Sequence, residues 1–169
     1  MSVTRDIVAT WRRPRQVMRR LLAMGQREDR ALMYLMLACG LIFVAQWPRI
    51  SREATLDAGG APLDARLSIT FFAMLMVWPI LLYGLGALSH LMARVFGGKG
   101  TWYTARLALF WSLLASCPAW LFYGLVQGFV DPGPTHSIVG AGVLAVFLGF
   151  WAVTLHEAER APPAESLPA

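Results

Sequence analysis

At 169 residues the chain has room for one domain, and a hydrophobic content of 57% with a mean hydropathy of +0.52 excludes an ordinary soluble core. The net charge of +5 is almost all arginine, Lys99 being the one lysine, and it crowds toward the N-terminus. Basic residues that flank apolar runs meet anionic headgroups first, so anionic lipids and not nucleic acid are the expected partners. Cys39 and Cys117 each lie inside an apolar run without ligand spacing and read as inert thiols.

Residues 1–30 form a basic, cytoplasmic lead-in, with eight arginines against Asp6, Glu28 and Asp29. Pro14 suits a helix start and Gly25 a helix end, and Val17, Met18, Leu21, Leu22 and Met24 recur at helical spacing between them. This predicts an amphipathic interfacial helix, with Trp11 ahead of it, lying in the headgroup layer. Arg12, Arg13, Arg15, Arg19 and Arg20 would rest on lipid phosphates.

A four-span membrane domain is expected over 31–155, with spans at 31–47, 67–93, 107–130 and 136–155. The two central runs contain no acid or base except His90, and both exceed the roughly 20 residues that cross a bilayer core. Trp47-Pro48 is expected to end the first span. The second and third should kink at Pro79 and Pro118, where a backbone donor is missing. Ala108, Ser112 and Ser116 recur four apart in the third span, as do Ser137, Ala141, Ala145 and Gly149 in the fourth. Such small-residue stripes are helix-packing faces, which raises a membrane partner or self-association. Residues 156–169 read as a disordered cytoplasmic tail.

Basic residues near the span ends number eight before the first span, three after it, three in the central turn, none in the last turn and one in the tail. Both termini are therefore expected in the cytoplasm, with the first connection, holding Arg49, Arg52 and Arg66, the exception to the pattern. Abundant arginine points to a GC-rich bacterial source, and so to a bacterial inner membrane.

Trp11-Arg12-Arg13-Pro14-Arg15 and the later stretch FGGKGTWYTARLALFWSLLASCP, with its Gly97-Gly98-Lys99-Gly100 turn and Pro118 within the following span, resemble the Yip family of Ypt/Rab-interacting membrane proteins. The resemblance covers roughly residues 10–155. It implies a helical membrane domain without catalysis, associated in eukaryotic relatives with vesicle trafficking and membrane shaping. Those relatives commonly have five spans and an acidic-aromatic Asp-Leu-Tyr-Gly-Pro type motif, neither of which is found in this sequence, so GTPase binding is not carried over.

His90 and His156 fall near the cytoplasmic ends of their spans and are the one candidate pair for a metal or haem, but no carboxylate or thiol completes a shell around them. The glycine turn lacks phosphate-loop spacing, and its Lys99 reads as an anchor on lipid phosphate. No serine-histidine-acid or paired-carboxylate arrangement is present, so no catalytic residue and no cofactor is assigned. The sequence thus describes an all-α polytopic membrane protein, four transmembrane helices with an N-terminal amphipathic interfacial helix. A non-enzymatic role through lipid or partner binding, including membrane organisation, fits it best. The alternatives are an accessory subunit of a larger complex and a small transporter or channel component, the latter from the proline-broken spans.

Overall fold

The computed structural model describes residues 3–57, 59–95, 97–98 and 100–160, and among these the regular structure is helical throughout. Two short helices, α1 (Val3–Arg12) and α2 (Pro14–Ala23), precede α3 (Glu28–Leu56). A second long helical unit is built from α4 (Leu63–Phe72), a π-helical turn (Ala73–Val77) and α5 (Trp78–Val95). Then come α6 (Trp102–Phe129) and α7 (Pro134–Arg160). Four of these units, Glu28–Leu56, Leu63–Val95, Trp102–Phe129 and Pro134–Arg160, are long and apolar enough to cross a bilayer.

α6 is the centre of the bundle. Of its most apolar stretch 56% is buried, against 11% for α7, because α3 packs on one side of it and α7 on the other. Small residues set both contacts. A Cβ at Gly124 would collide with the Ala45 carbonyl and one at Gly128 with Pro48, so these glycines let α3 and α6 approach backbone to backbone. Toward the other end Tyr34 meets the edge of Trp111 at 5.0 Å between ring centroids. Between α6 and α7, the Ser112 and Thr154 hydroxyl oxygens meet at 2.7 Å, one donating to the other, which in turn donates to a carbonyl of its own helix, Ala108 or Phe150. Ala108, Ser112 and Ser116 are all fully buried on α6.

The helices outrun the expected spans. Pro48 does not end the first, since α3 continues to Leu56. Proline removes only its own N–H, and the turns beyond it are held by an Arg49–Glu53 pair four residues apart and by Arg52, which donates to the Val130 carbonyl and to Asp131 of the α6–α7 loop. Around Pro79 the irregularity takes the form of the π turn just ahead of it, which widens the helix where the next turn lacks a donor. α6, by contrast, remains one unbroken helical run through Pro118. α7 extends through 156–160, so the first residues of the expected tail are helical, and 161–169 lie outside the described residues.

Helix ends follow their local chemistry. α2 stops at Gly25, whose φ of 80° suits glycine, and its N–H returns to the Leu22 carbonyl. α5 stops likewise at Gly97 (φ 82°), with Gly97 N–H on the Arg94 carbonyl and Gly98 N–H on the Ala93 carbonyl. α6 starts at Thr101, which exchanges reciprocal side chain to backbone hydrogen bonds with Thr104.

Candidate functional site

The lead-in contains the expected helix, α2, and a second one, α1, ahead of it. The chain breaks at Arg13, kept out of helical conformation by the proline that follows it, and α1 and α2 fold against each other as a short hairpin. Its inner face is apolar. Val17, Met18 and Leu21 are buried, with Val3 and Ile7 packed against the same core. Its tip is fastened to the bundle by two indole contacts. Trp11 Nε1 donates to the Ala115 carbonyl at 3.0 Å and its ring meets Phe150 edge-on at 5.3 Å. One turn back, Trp111 Nε1 donates to the fully buried Thr10 hydroxyl at 3.1 Å. Proline at 118 leaves the Leu114 carbonyl, next to the one that Trp11 bonds, without its helical donor.

The anchoring fixes the depth of the tip relative to the bundle. Ala115 lies 13 positions along α6 from Trp102, roughly 20 Å at a helical rise of about 1.5 Å per residue. α2 then climbs back toward the Trp102 end of α6, where Arg19 hydrogen-bonds Glu157 at the far end of α7. That bond and the carboxylate charge raise the Arg19 guanidinium above its usual value and keep it charged.

Between α1 and α2 runs a groove of ≈ 610 Å³ lined on both walls by Arg5, Arg12, Arg13, Gln16 and Arg20. Arg20 pairs with Asp6. Among the described residues no ion pair forms at Arg5, Arg12, Arg13 or Arg15, so three guanidinium groups of the groove stand without a counter-charge. A second, shallower recess lies against Val153 of α7 and holds Arg12, Arg13 and Arg15. The structure therefore brings Arg12, Arg13 and Arg20 to one site, adds Arg5, which the sequence pattern did not single out, and turns Arg19 aside to Glu157. Lys99 lies outside the described residues.

At the Trp102 end a second polar cluster closes the bundle. The buried Glu159 carboxylate accepts the Gly100 N–H at 2.9 Å and stands 3.5 Å from His90 Nδ1, whose ring leans on Trp102 at 4.6 Å. A Cβ at Gly98 or Gly100 would strike this carboxylate, which explains the glycines of the turn as packing and not as a phosphate cradle. His156 is exposed while His90 is buried, so the two imidazoles occupy different environments. Among the described residues no three His, Cys, Asp or Glu side chains converge as a metal shell would.

The α7 stripe is placed differently from the α6 stripe. Ser137, Ala141, Ala145 and Gly149 face outward, and nothing lies within 4 Å of a Cβ built at Gly142 or Gly149. Sequence reasoning missed α1, although Val3, Ile7 and Thr10 already carried a helical spacing, and it missed Glu157 and Glu159 as buried partners because they sit past the last apolar residue. In a scan of protein families, the model of the Yip1 domain matches residues 8–164. No curated protein and no solved structure matches the chain.

Proposed function

We propose, for a chain that belongs to the Yip1-domain family and is a multi-pass membrane protein, that the α1–α2 hairpin is a wedge in one leaflet that gathers anionic lipid headgroups. The observation that carries this reading is the arginine groove, with Arg5, Arg12 and Arg13 uncompensated, on a hairpin whose tip is bonded to the Ala115 carbonyl. Unpaired arginines at such a depth are costly in hydrocarbon, by roughly 2.5 to 3.5 kcal/mol each on insertion scales. Lipid phosphates drawn down onto the groove offset that cost, since guanidinium forks match phosphate oxygens bidentately. A hairpin present in one leaflet only also adds volume to that leaflet, which favours bending the membrane. The role is organisation of the membrane by binding and not by chemistry. The leaflet is the cytoplasmic one of a bacterial inner membrane, with both termini inside, following the concentration of arginine at this end.

The test is the preference of the reconstituted chain for phosphatidylglycerol over phosphatidylcholine, read with spin-labelled lipids of each kind. At about 1 kcal/mol per arginine near an anionic surface, replacing Arg5, Arg12 and Arg13 by glutamine should reduce that preference by up to about 100-fold. High salt should reduce it in the unmodified chain. An unchanged preference in the triple variant overturns the reading. The outward stripe Ser137, Ala141, Ala145 and Gly149 favours a second role, as a subunit of a larger complex that covers α7. Stoichiometric co-purification of another membrane protein in nanodiscs, lost on Ala141→Leu, would support it, and retention of lipids alone would overturn it.

A further inference from the structure

A second, separate cavity lies at the opposite end of the bundle, between α3, the α4–α5 unit and α6. Its walls run lengthwise. Along α3 it extends from Cys39 to Arg49, ten positions, or about 15 Å of helix. That equals the hydrocarbon depth of one leaflet, half of a core about 30 Å thick. Its volume of ≈ 290 Å³ over this length leaves a mean cross-section of about 20 Å², the width of a single hydrocarbon chain.

The chemistry of the slot changes along its axis. The inner end is formed by Cys39, Ile42, Leu82 and Leu113, all buried and apolar. The outer end, beside the α3–α4 and α6–α7 connections, carries Gln46, Arg49 and Gln127. Gln46 accepts from Arg49 through its amide oxygen, which leaves its own N–H groups free as donors. Deeper in the wall, the Trp120 indole N–H is buried without an acceptor among the described residues. A donor-rich mouth above an apolar shaft matches an amphiphile whose head supplies acceptors only. Glycerol-ester carbonyls and phosphate oxygens are such acceptors.

The fold builds this slot deliberately on both sides. The Gly124–Ala45 approach closes α3 onto α6 and seals one wall. On the opposite wall Met74, Trp78 and Leu82, four residues apart, share one face of the helical unit.

We propose that this slot is a binding site for one acyl chain of a glycerophospholipid from the leaflet opposite the hairpin, with its ester oxygens on Gln46 and Gln127 beside the Arg49–Glu53 pair. The site is independent of the arginine groove, and neither stands or falls with the other.

The experiment uses the full chain in dodecyl maltoside micelles, free of other phospholipid, with increasing amounts of a phosphatidylcholine bearing a diazirine in one acyl chain, followed by peptide mapping of the photoadducts. Adducts on the Met74 and Leu113 walls should saturate and be displaced by unlabelled phosphatidylcholine. Adducts on Ile138 of α7, which is exposed, should rise in proportion to probe. Filling the shaft with Ile42→Phe should lower the wall adducts at least fivefold while leaving Ile138 unchanged. Gln127→Leu, at the mouth and without added bulk in the shaft, should weaken saturation severalfold. Wall adducts that never saturate, or that respond to neither substitution, overturn the proposal, and so does a shaft without adducts in the unmodified chain. The saturation arm needs no variant, so a poorly folding Ile42→Phe protein still leaves a decision.

Discussion

The tip of the hairpin is held by few contacts, so removing Trp11 should loosen it measurably. The indole supplies one hydrogen bond to the Ala115 carbonyl and one edge-on contact with Phe150. A hydrogen bond of this kind contributes about 1 kcal/mol net and an aromatic pair roughly another 1 kcal/mol. Trp11→Ala should therefore favour the open hairpin by about 2 kcal/mol, a factor of about 30 in its population. Trp11→Phe keeps the ring contact and loses only the N–H, for a factor of about 5. The reporter is a single cysteine at Val17, buried on the inner face of α2, in a chain whose two native cysteines are replaced by alanine. Its rate of reaction with maleimide measures how often the hairpin lifts off. Rates rising in the order unmodified, Trp11→Phe, Trp11→Ala, with those ratios, are the expected result. Equal rates in all three would refute the reasoning, because Trp11 would then be a passenger and not the fastening.

Three further outcomes follow from the packing. Gly124→Ala drives a methyl into the Ala45 carbonyl and should cost about 1 to 3 kcal/mol, seen as a lower Tm in detergent, whereas the same change at the open Gly149 should leave Tm unchanged. Ser112→Ala and Thr154→Val should each destabilise, and their double-mutant cycle should return a coupling of about 0.6 to 2 kcal/mol for the shared hydrogen bond. Glu159→Ala removes the acceptor of the Gly100 N–H, so amide exchange at Gly100 should quicken about 10-fold, while Glu159→Gln, which retains an acceptor, should restore most of the protection.

The four spans were legible because nothing but a bilayer accommodates runs such as 107–130, and the glycine ends of α2 and α5 were legible because glycine alone readily enters positive φ. Span lengths were not. A proline reads as a stop when only its own missing N–H is considered, yet α3 passes Pro48 because the turns after it are held by Arg49–Glu53 and by Arg52 reaching the far loop, a contact 79 residues away in sequence. The two small-residue stripes show the same limit. Both have the spacing of a packing face, but Ser112 is buried against Thr154 whereas Ala141 is exposed, and spacing on one helix carries no record of its neighbour. The basic lead-in gave its amphipathic pattern correctly for α2, and its depth was hidden because that depth comes from Trp11 finding a carbonyl 104 residues later.

The arginines divide into two populations, and the division bears on orientation. At the end holding the α3–α4 and α6–α7 loops, Arg49 pairs with Glu53, Arg52 with Asp131 and Arg66 with Asp57, so the three arginines that stood against the topological pattern are each neutralised within the fold. On the hairpin Arg5, Arg12, Arg13 and Arg15 have no such partner among the described residues, and on the proposed reading an anionic surface compensates them. The uncompensated end should be cytoplasmic, where anionic lipid and the retention of basic segments both act. Gly133→Cys, in the exposed loop where a Cβ would make only an ordinary 3.8 Å contact with the Asp131 carbonyl, reports one side, and Arg94→Cys, exposed at the end of α5, reports the other. In spheroplasts an impermeant maleimide should label Gly133→Cys directly and Arg94→Cys only after lysis. The reverse pattern would place the paired arginines inside, and the wedge would then lie in the leaflet where the cell keeps no cytoplasmic surface charge to hold it.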